Sequence, residues 1–347
     1  MTVKAALAGS TIDEDDESEF LTTIRAHLSE TSKSVVDRLA AVKDVYVECG
    51  RDTLLDVTFK TFVEFMLATR NGRRDDGRIL FVTGESGAGK SAAVRRMLSS
   101  HPALQPIQVS FGFVRPVVSV SLSGPSTLRL VGEQIMAAAR GYETVRKMRQ
   151  GEIWKEMPAD LRHRRVLIVH IDEPQHLMKD TETNLDRRNL ANALKGVMNY
   201  AQWPVSFVLS GLPIVDEIAR LDEQFERRGT FVRLPNVHMP DERRLVEKVI
   251  RALANAGGVE CEALIATDIP DRIAHAARYR YGRIAQIVVA ALHVAFQKDE
   301  ATLTRDHFAI AYDRHSHAMD HDGMNVFLAN DWRRLPEGCF LIEKGEP

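Results

Sequence analysis

Between residues 79 and 234 short apolar runs alternate with amphipathic stretches, as expected when strands and helices follow one another along the chain. Ile79-Leu80-Phe81-Val82 is uninterrupted by polar residues and runs toward Gly84. That predicts a parallel strand buried on both faces. Val117–Leu122, Val166–Ile171, Val205–Leu209 and Phe231–Leu234 read as four more, with helices over roughly 90–99, 126–140 and 186–202. Upstream, Leu55, Phe59, Phe62, Val63, Met66 and Leu67 fall on one helical face, and the polar run Arg70–Gly77 reads as a loop. The fold class predicted is α/β with a parallel five-stranded sheet.

Beyond Pro235 the strand signals stop. Leu245, Val246, Val249, Ile250 and Leu253 form one helical stripe, and Ile284, Ile287, Val288, Ala291, Leu292 and Ala295 form another. Thr304 reads as the N-cap of a helix carrying Phe308, Ala311 and Tyr312. The expected organisation is a disordered acidic lead over 1–33, an α/β core with N-terminal helices over 34–235, a small all-helical lid over 236–313, and a tail over 314–347 that could bind a partner.

Composition narrows the class without naming a chemistry. The 347 residues are 44% hydrophobic and 27% charged, ordinary values for a globular chain. No apolar run approaches the ~18 residues that would span a bilayer, so no membrane role is expected. Asp13-Glu14-Asp15-Asp16-Glu17 near the start bears no likeness to a secretory leader, and Cys49, Cys261 and Cys339 show no CxxC or metal-ligand spacing. Both point to the cytoplasm. A formal net charge of −2 neither requires nor excludes nucleic acid.

The chemistry lies at the ends of the predicted strands. Gly84-Glu85-Ser86-Gly87-Ala88-Gly89-Lys90-Ser91 follows the first strand and opens a helix. Its glycines let successive N–H groups curl toward phosphates, with the helix N-terminus adding its positive dipole end. Lys90 is the candidate for the β- and γ-phosphates of ATP, and the Ser91 hydroxyl for Mg²⁺. The strand through Val166–Ile171 ends in Asp172-Glu173. Asp172 is assigned to Mg²⁺ and Glu173 to the attacking water as general base. Paired carboxylates at this place favour hydrolysis over transfer to a second substrate.

Three further positions complete the candidate site. Ser210 ends the strand after the Asp-Glu pair and could sense the γ-phosphate or hold the water. Arg227 and Arg228 precede the last strand, where an arginine could reach a neighbouring subunit's nucleotide; Arg228 is the candidate. Arg283 follows Gly282 at the start of a lid helix and could fold over the nucleotide. His170, inside the acidic strand, reads as a core histidine. His315, His317 and His321 match no metal-site spacing.

The ordered set resembles the AAA+ superfamily: Walker A, Walker B, first sensor, arginine finger, then a helical lid with the second sensor. More narrowly, it is similar to the TniB family of transposition ATPases, related to TnsC and more distantly to MuB. The runs behind that are Leu194–Asn199, Ser210-Gly211-Leu212-Pro213, Asp222–Arg228 and Asn325–Trp332, within a likeness spanning roughly 45–332. Two departures stand out. Arg228 is followed by Gly229 where phenylalanine is usual, and the sensor is serine where threonine is usual.

The resemblance implies an ATP-hydrolysing regulator of transposition. Its ATP-bound subunits would form rings or filaments on duplex DNA of any sequence, select a target and recruit a DDE-type transposase. Phosphate contacts would come from Arg146, Lys147 and Arg149, from Arg162, Arg164 and Arg165, or from Arg187 and Arg188. The alternatives are a AAA+ switch for a signalling assembly and a loader for replication or repair.

Overall fold

A computed structural model describes residues 11–110, 112–141, 148–178, 185–220, 222–315 and 322–338, with backbone alone at 11–18, 185 and 186. Arg146, Lys147, His317, His321 and Cys339 lie outside them. The chain divides into two compact units. Gly50–Glu85 and Lys90–Leu234 make up most of the first. Asp16–Cys49, Ser86–Gly89 and the chain from Pro235 onward make up the second.

Nine strands are present among the described residues: β1 (Thr69–Arg70), β2 (Arg73–Arg74), β3 (Ile79–Gly84), β4 (Ile107–Val109), β5 (Gly112–Val114), β6 (Val117–Ser121), β7 (Ile168–Asp172), β8 (Ser206–Gly211) and β9 (Gly229–Leu234). Five of them form a parallel sheet in the order β6-β7-β8-β3-β9. All of β3, β7 and β8 is buried, which is why these strands read as continuous apolar runs.

The two-residue alternation of a strand sends neighbouring side chains to opposite faces. Ile79, Phe81, Val169, Ile171, Phe207 and Leu209 pack with the helices Leu128–Arg140, Gln150–His163 and Leu185–Met198. Leu80, Val82, Val117, Ile168 and Val208 pack on the other face with Gly50–Leu67 and Lys90–Ser100. Thr127 caps Leu128–Arg140 by accepting from the Leu130 amide, and Gly141 ends it at φ +77°.

Two hairpins were not anticipated. β1 and β2 pair within the polar run expected to be a loop, around Asn71 (φ +54°) and Gly72 (φ +73°). Asn-Gly suits the left-handed geometry of a two-residue turn and is a hairpin signal in its own right. β4 and β5 form the second hairpin.

The second unit is helical: Glu30–Lys43, Arg243–Ala256, Glu262–Ile265, Ile269–Ala276, Tyr281–Gln297 and Arg305–His315. Its core includes both predicted stripes, and Phe308, Ala311 and Tyr312 are buried in it. Three expectations change here. Residues 11–26 form a helix instead of a disordered lead; acidic residues in a first turn favour a helix through its dipole. Val42 and Val47 join the helical core, so the segment just before Gly50 belongs to the second unit.

The third change concerns the tail, part of which is built into the same core. Phe327 lies against Phe308 and Tyr312, with ring centres 5.3 and 5.7 Å away. The Asn325 amide donates to Ala309 O at 3.0 Å and to Asp313 Oδ1 at 2.7 Å. Buried Arg272 donates to Val326 O at 2.5 Å and Ala329 O at 2.8 Å.

Candidate functional site

Parallel strands point the same way, so the C-terminal ends of β3, β7 and β8 gather at one edge of the sheet, where ligands collect in open α/β folds. Register then sets the neighbours. Asp172 is opposite Ser210, and Ser210 is opposite Val82 of β3, two residues before Gly84.

Lys90 opens the helix Lys90–Ser100 and is 4% exposed. Its Nζ donates to Glu85 O at 3.1 Å and stands 3.9 Å from Glu173 Oε1. Ser91 follows at the next helical position, half-buried.

Asp172, buried at the end of β7, accepts from Ser210 Oγ at 2.5 Å. Glu173 takes a left-handed φ of +58°, an uncommon and costly conformation for a non-glycine residue. Its amide donates to Ser210 O at 2.7 Å. Its carboxylate accepts from the Gln175 amide as well as facing Lys90. Gln175 was missed from sequence, because only the turn over Pro174–Leu177 folds it back onto Glu173.

Ser210 is fully buried and lies 2.8 Å from His170 Nε2, whose Nδ1 is 3.3 Å from Ser119 Oγ. Burial pushes the His170 pKa down to about 4, more than Asp172 can restore, so the ring is neutral at physiological pH.

Arg228 is held within its own chain, donating to Asp76 Oδ2 and Asn199 Oδ1, both at 2.6 Å. Arg227 beside it is exposed.

In the second unit, the Arg283 amide donates to Gly87 O at 3.2 Å. Gly87 (φ +78°) and Gly89 (φ +90°) are both left-handed. A Cβ on Gly87 would sit 2.7 Å from Arg283 Cγ, so glycine is required there by both backbone and space.

The basic groups separate. Arg187 pairs with Glu217 and Arg162 with Gln202. Arg165 and Arg74 stand over the ring of Trp203, 5.4 and 4.7 Å from its centre. Arg149 precedes the helix Gln150–His163, and its amide donates to Glu152 Oε2 at 2.9 Å. Among the described residues no cluster of three or more His, Cys, Asp or Glu could hold a metal ion. Nor is any helix among them long and apolar enough to cross a membrane.

Residues 73–219 match the AAA domain family. No curated protein matches the chain. Among solved structures it is similar to Cdc6p of Pyrobaculum aerophilum, with 12% identity, TM-score 0.54 and coverage of 79% of this chain and 70% of that one. It is also similar to the Aeropyrum pernix ORC1 protein solved in complex with DNA, with 18% identity, TM-score 0.55 and coverage of 81% and 70%. The A. pernix ORC2 protein, solved with ADPNP and ADP, gives 16%, 0.54, 78% and 70%. The fold is that of AAA+ P-loop proteins, with the five-stranded parallel sheet and a helical C-terminal part.

Proposed function

We propose that this chain binds and hydrolyses ATP with Mg²⁺, and that its ATP-bound copies assemble on duplex DNA to select a target for a DDE-type transposase. The observation that carries the hydrolytic reading is the convergence of Lys90, Asp172, Glu173 and Ser210 at the strand ends. Each has the chemistry its place requires.

The loop Gly84–Gly89 would wrap the phosphates with its amides, and Arg283, bonded to Gly87, would add positive charge on that loop. Asp172 and Ser91 offer the hard oxygen donors that Mg²⁺ prefers. Bound there, Mg²⁺ would neutralise phosphate charge. Lys90, on turning to the phosphates, gives up its approach to Glu173 Oε1. The Glu173 carboxylate then holds the attacking water and accepts its proton. Ser210 keeps Asp172 oriented from below. Arg228 would act on a neighbouring subunit's nucleotide after leaving Asp76.

The transposition reading is supported by the TniB-like runs Leu194–Asn199, Ser210–Pro213 and Asp222–Arg228. A second reading, a loader or initiator for replication, is favoured by the likeness in fold to the Cdc6 and ORC1 structures. Both predict DNA association.

The test is ATPase turnover and DNA binding by purified protein, with and without duplex DNA. Lys90→Ala should lose nucleotide binding, whereas Glu173→Gln should bind ATP and barely hydrolyse it. ATP should tighten DNA binding relative to ADP. Equal binding in both states would remove the assembly reading, and normal turnover by Glu173→Gln would remove Glu173 from the base role. Stimulated integration by a partner transposase supports the first reading; stimulated helicase loading supports the second.

A further inference from the structure

Strand alternation and register put Ser119, His170, Asp172 and Ser210 on one face of the sheet, the face that also packs the helix opened by Lys90. Ser119 is opposite His170, and Asp172 is opposite Ser210. Ile168, Val169 and Ile171 of the same strand are aliphatic, so a histidine between them takes an apolar place at the cost of desolvating an imidazole.

Proton counting gives the direction of the two bonds that lead to Asp172. As the carboxylate read to bind Mg²⁺, Asp172 accepts only, so the 2.5 Å contact uses the single Ser210 hydroxyl proton. Ser210 Oγ, having given that proton, can only accept from His170 Nε2 at 2.8 Å. Nε2 therefore carries the ring proton. On the far side of the ring, Nδ1 lies 3.3 Å from Ser119 Oγ, which holds the imidazole in place. The donation runs one way, from His170 through Ser210 to Asp172.

We propose that His170 is a positioning residue for the nucleotide's Mg²⁺: its Nε2–H fixes the Ser210 hydroxyl as a donor to Asp172 and so orients the carboxylate before the cation arrives. The inference rests on the reading of Asp172 as the Mg²⁺-binding carboxylate. Without the imidazole, the Ser210 hydroxyl can turn away and Asp172 Oδ1 loses its fixed partner. Partners that orient a metal-binding carboxylate are commonly worth about 10- to 100-fold in metal affinity or activity.

Two measurements test it. Imidazole ¹⁵N shifts of nucleotide-free protein should show His170 protonated at Nε2, the resonance being assigned by its loss in His170→Gln. An Nδ1-protonated ring would overturn the proposal, whether or not the protein hydrolyses ATP. The second is the Mg²⁺ dependence of mant-ATP binding. His170→Leu, which restores an aliphatic strand, should need about tenfold more Mg²⁺ or beyond. His170→Gln keeps a donor amide at the same reach and should return close to wild type. A His170→Leu variant with wild-type Mg²⁺ dependence, or a His170→Gln variant as impaired as it, would overturn the proposal. Should His170→Leu not fold, the tautomer and His170→Gln decide. Absence of mant-ATP binding by wild type would instead strike the nucleotide reading itself, leaving the ¹⁵N result to judge the bond direction.

Discussion

Arg228 Nη2 lies 2.6 Å from Asp76 Oδ2, so the arginine proposed to act on a neighbouring copy is paired inside its own chain. The two are 152 positions apart in sequence, and Asn199 holds the same guanidinium from a third segment. Reaching outward would mean leaving both partners. Arg228→Ala should lower ATP turnover by about 10³-fold with little change in nucleotide affinity, as expected for a transition-state arginine. Mixing it with Glu173→Gln should restore part of the turnover, because each variant supplies what the other lacks. Asp76→Asn should shift the onset of ATPase activity to lower protein concentration. Unchanged onset would show that the pairing places no restraint on Arg228.

Gly87 carries a second prediction. Alanine there meets a left-handed backbone, about 1–2 kcal/mol unfavourable for a residue with a Cβ, and a Cβ 2.7 Å from Arg283 Cγ. Gly87→Ala should weaken ATP binding at least tenfold by isothermal titration. Gly50→Ala, where nothing lies within 4 Å of the added Cβ, is the matched control and should leave binding unchanged.

Trp203 is flanked by Arg74 and Arg165, and desolvation lowers the pKa of Arg74. A phosphate backbone would relieve two neighbouring cations held against one ring. The double variant Arg74→Ala/Arg165→Ala should bind duplex DNA more weakly at every sequence tested. The slope of log K against log salt should fall by about 1.8, roughly 0.9 for each lost contact. An unchanged slope would assign DNA contact to another group.

His307 ties stability to pH. It stands three residues after Thr304, whose amide donates to His307 Nδ1 at 3.1 Å. Burial lowers the His307 pKa below the ordinary 6.5, outweighing the nearby Glu300. The native state therefore binds this proton less readily than the unfolded chain, and stability rises with pH across the gap between the two values. It is undiminished above about 6.5 and declines as pH drops below that toward the native pKa. His307→Gln supplies an acceptor that does not titrate, as in an ordinary capping box. Urea midpoints at pH 7.5 and 5.5 should differ less in this variant than in wild type; an equal difference would acquit His307.

Much of the α/β part was legible because burial on both faces writes a strand as an apolar run, as at Ile79–Val82 and Val205–Leu209. The helical stripes around Val249 and Ile287 were legible for the same reason, with a period of 3.6. What escaped depends on distance in sequence or on turns. His170 reads as a lone core histidine until lateral register sets it beside Ser210, forty residues later. Gln175 acquires its place only through a short turn, and the Asp76–Arg228 pair has no local signature at all. The Asn71-Gly72 hairpin did carry a signal, hidden within a run of charged residues. Acidity at residues 13–17 favoured solvation and helix alike, so composition could not separate a lead without structure from the helix at 11–26.

The docking of Phe327 on Phe308 and Tyr312 has a practical corollary for anyone shortening this protein. A chain stopped just after His315 would strip two aromatic rings of their cover and leave the Arg272 guanidinium without its Val326 and Ala329 carbonyl partners. The shortened species should aggregate during purification, and its helical unit should melt earlier than in the 347-residue chain. Epitope tags and fusions are therefore better joined beyond residue 338 than within the preceding segment.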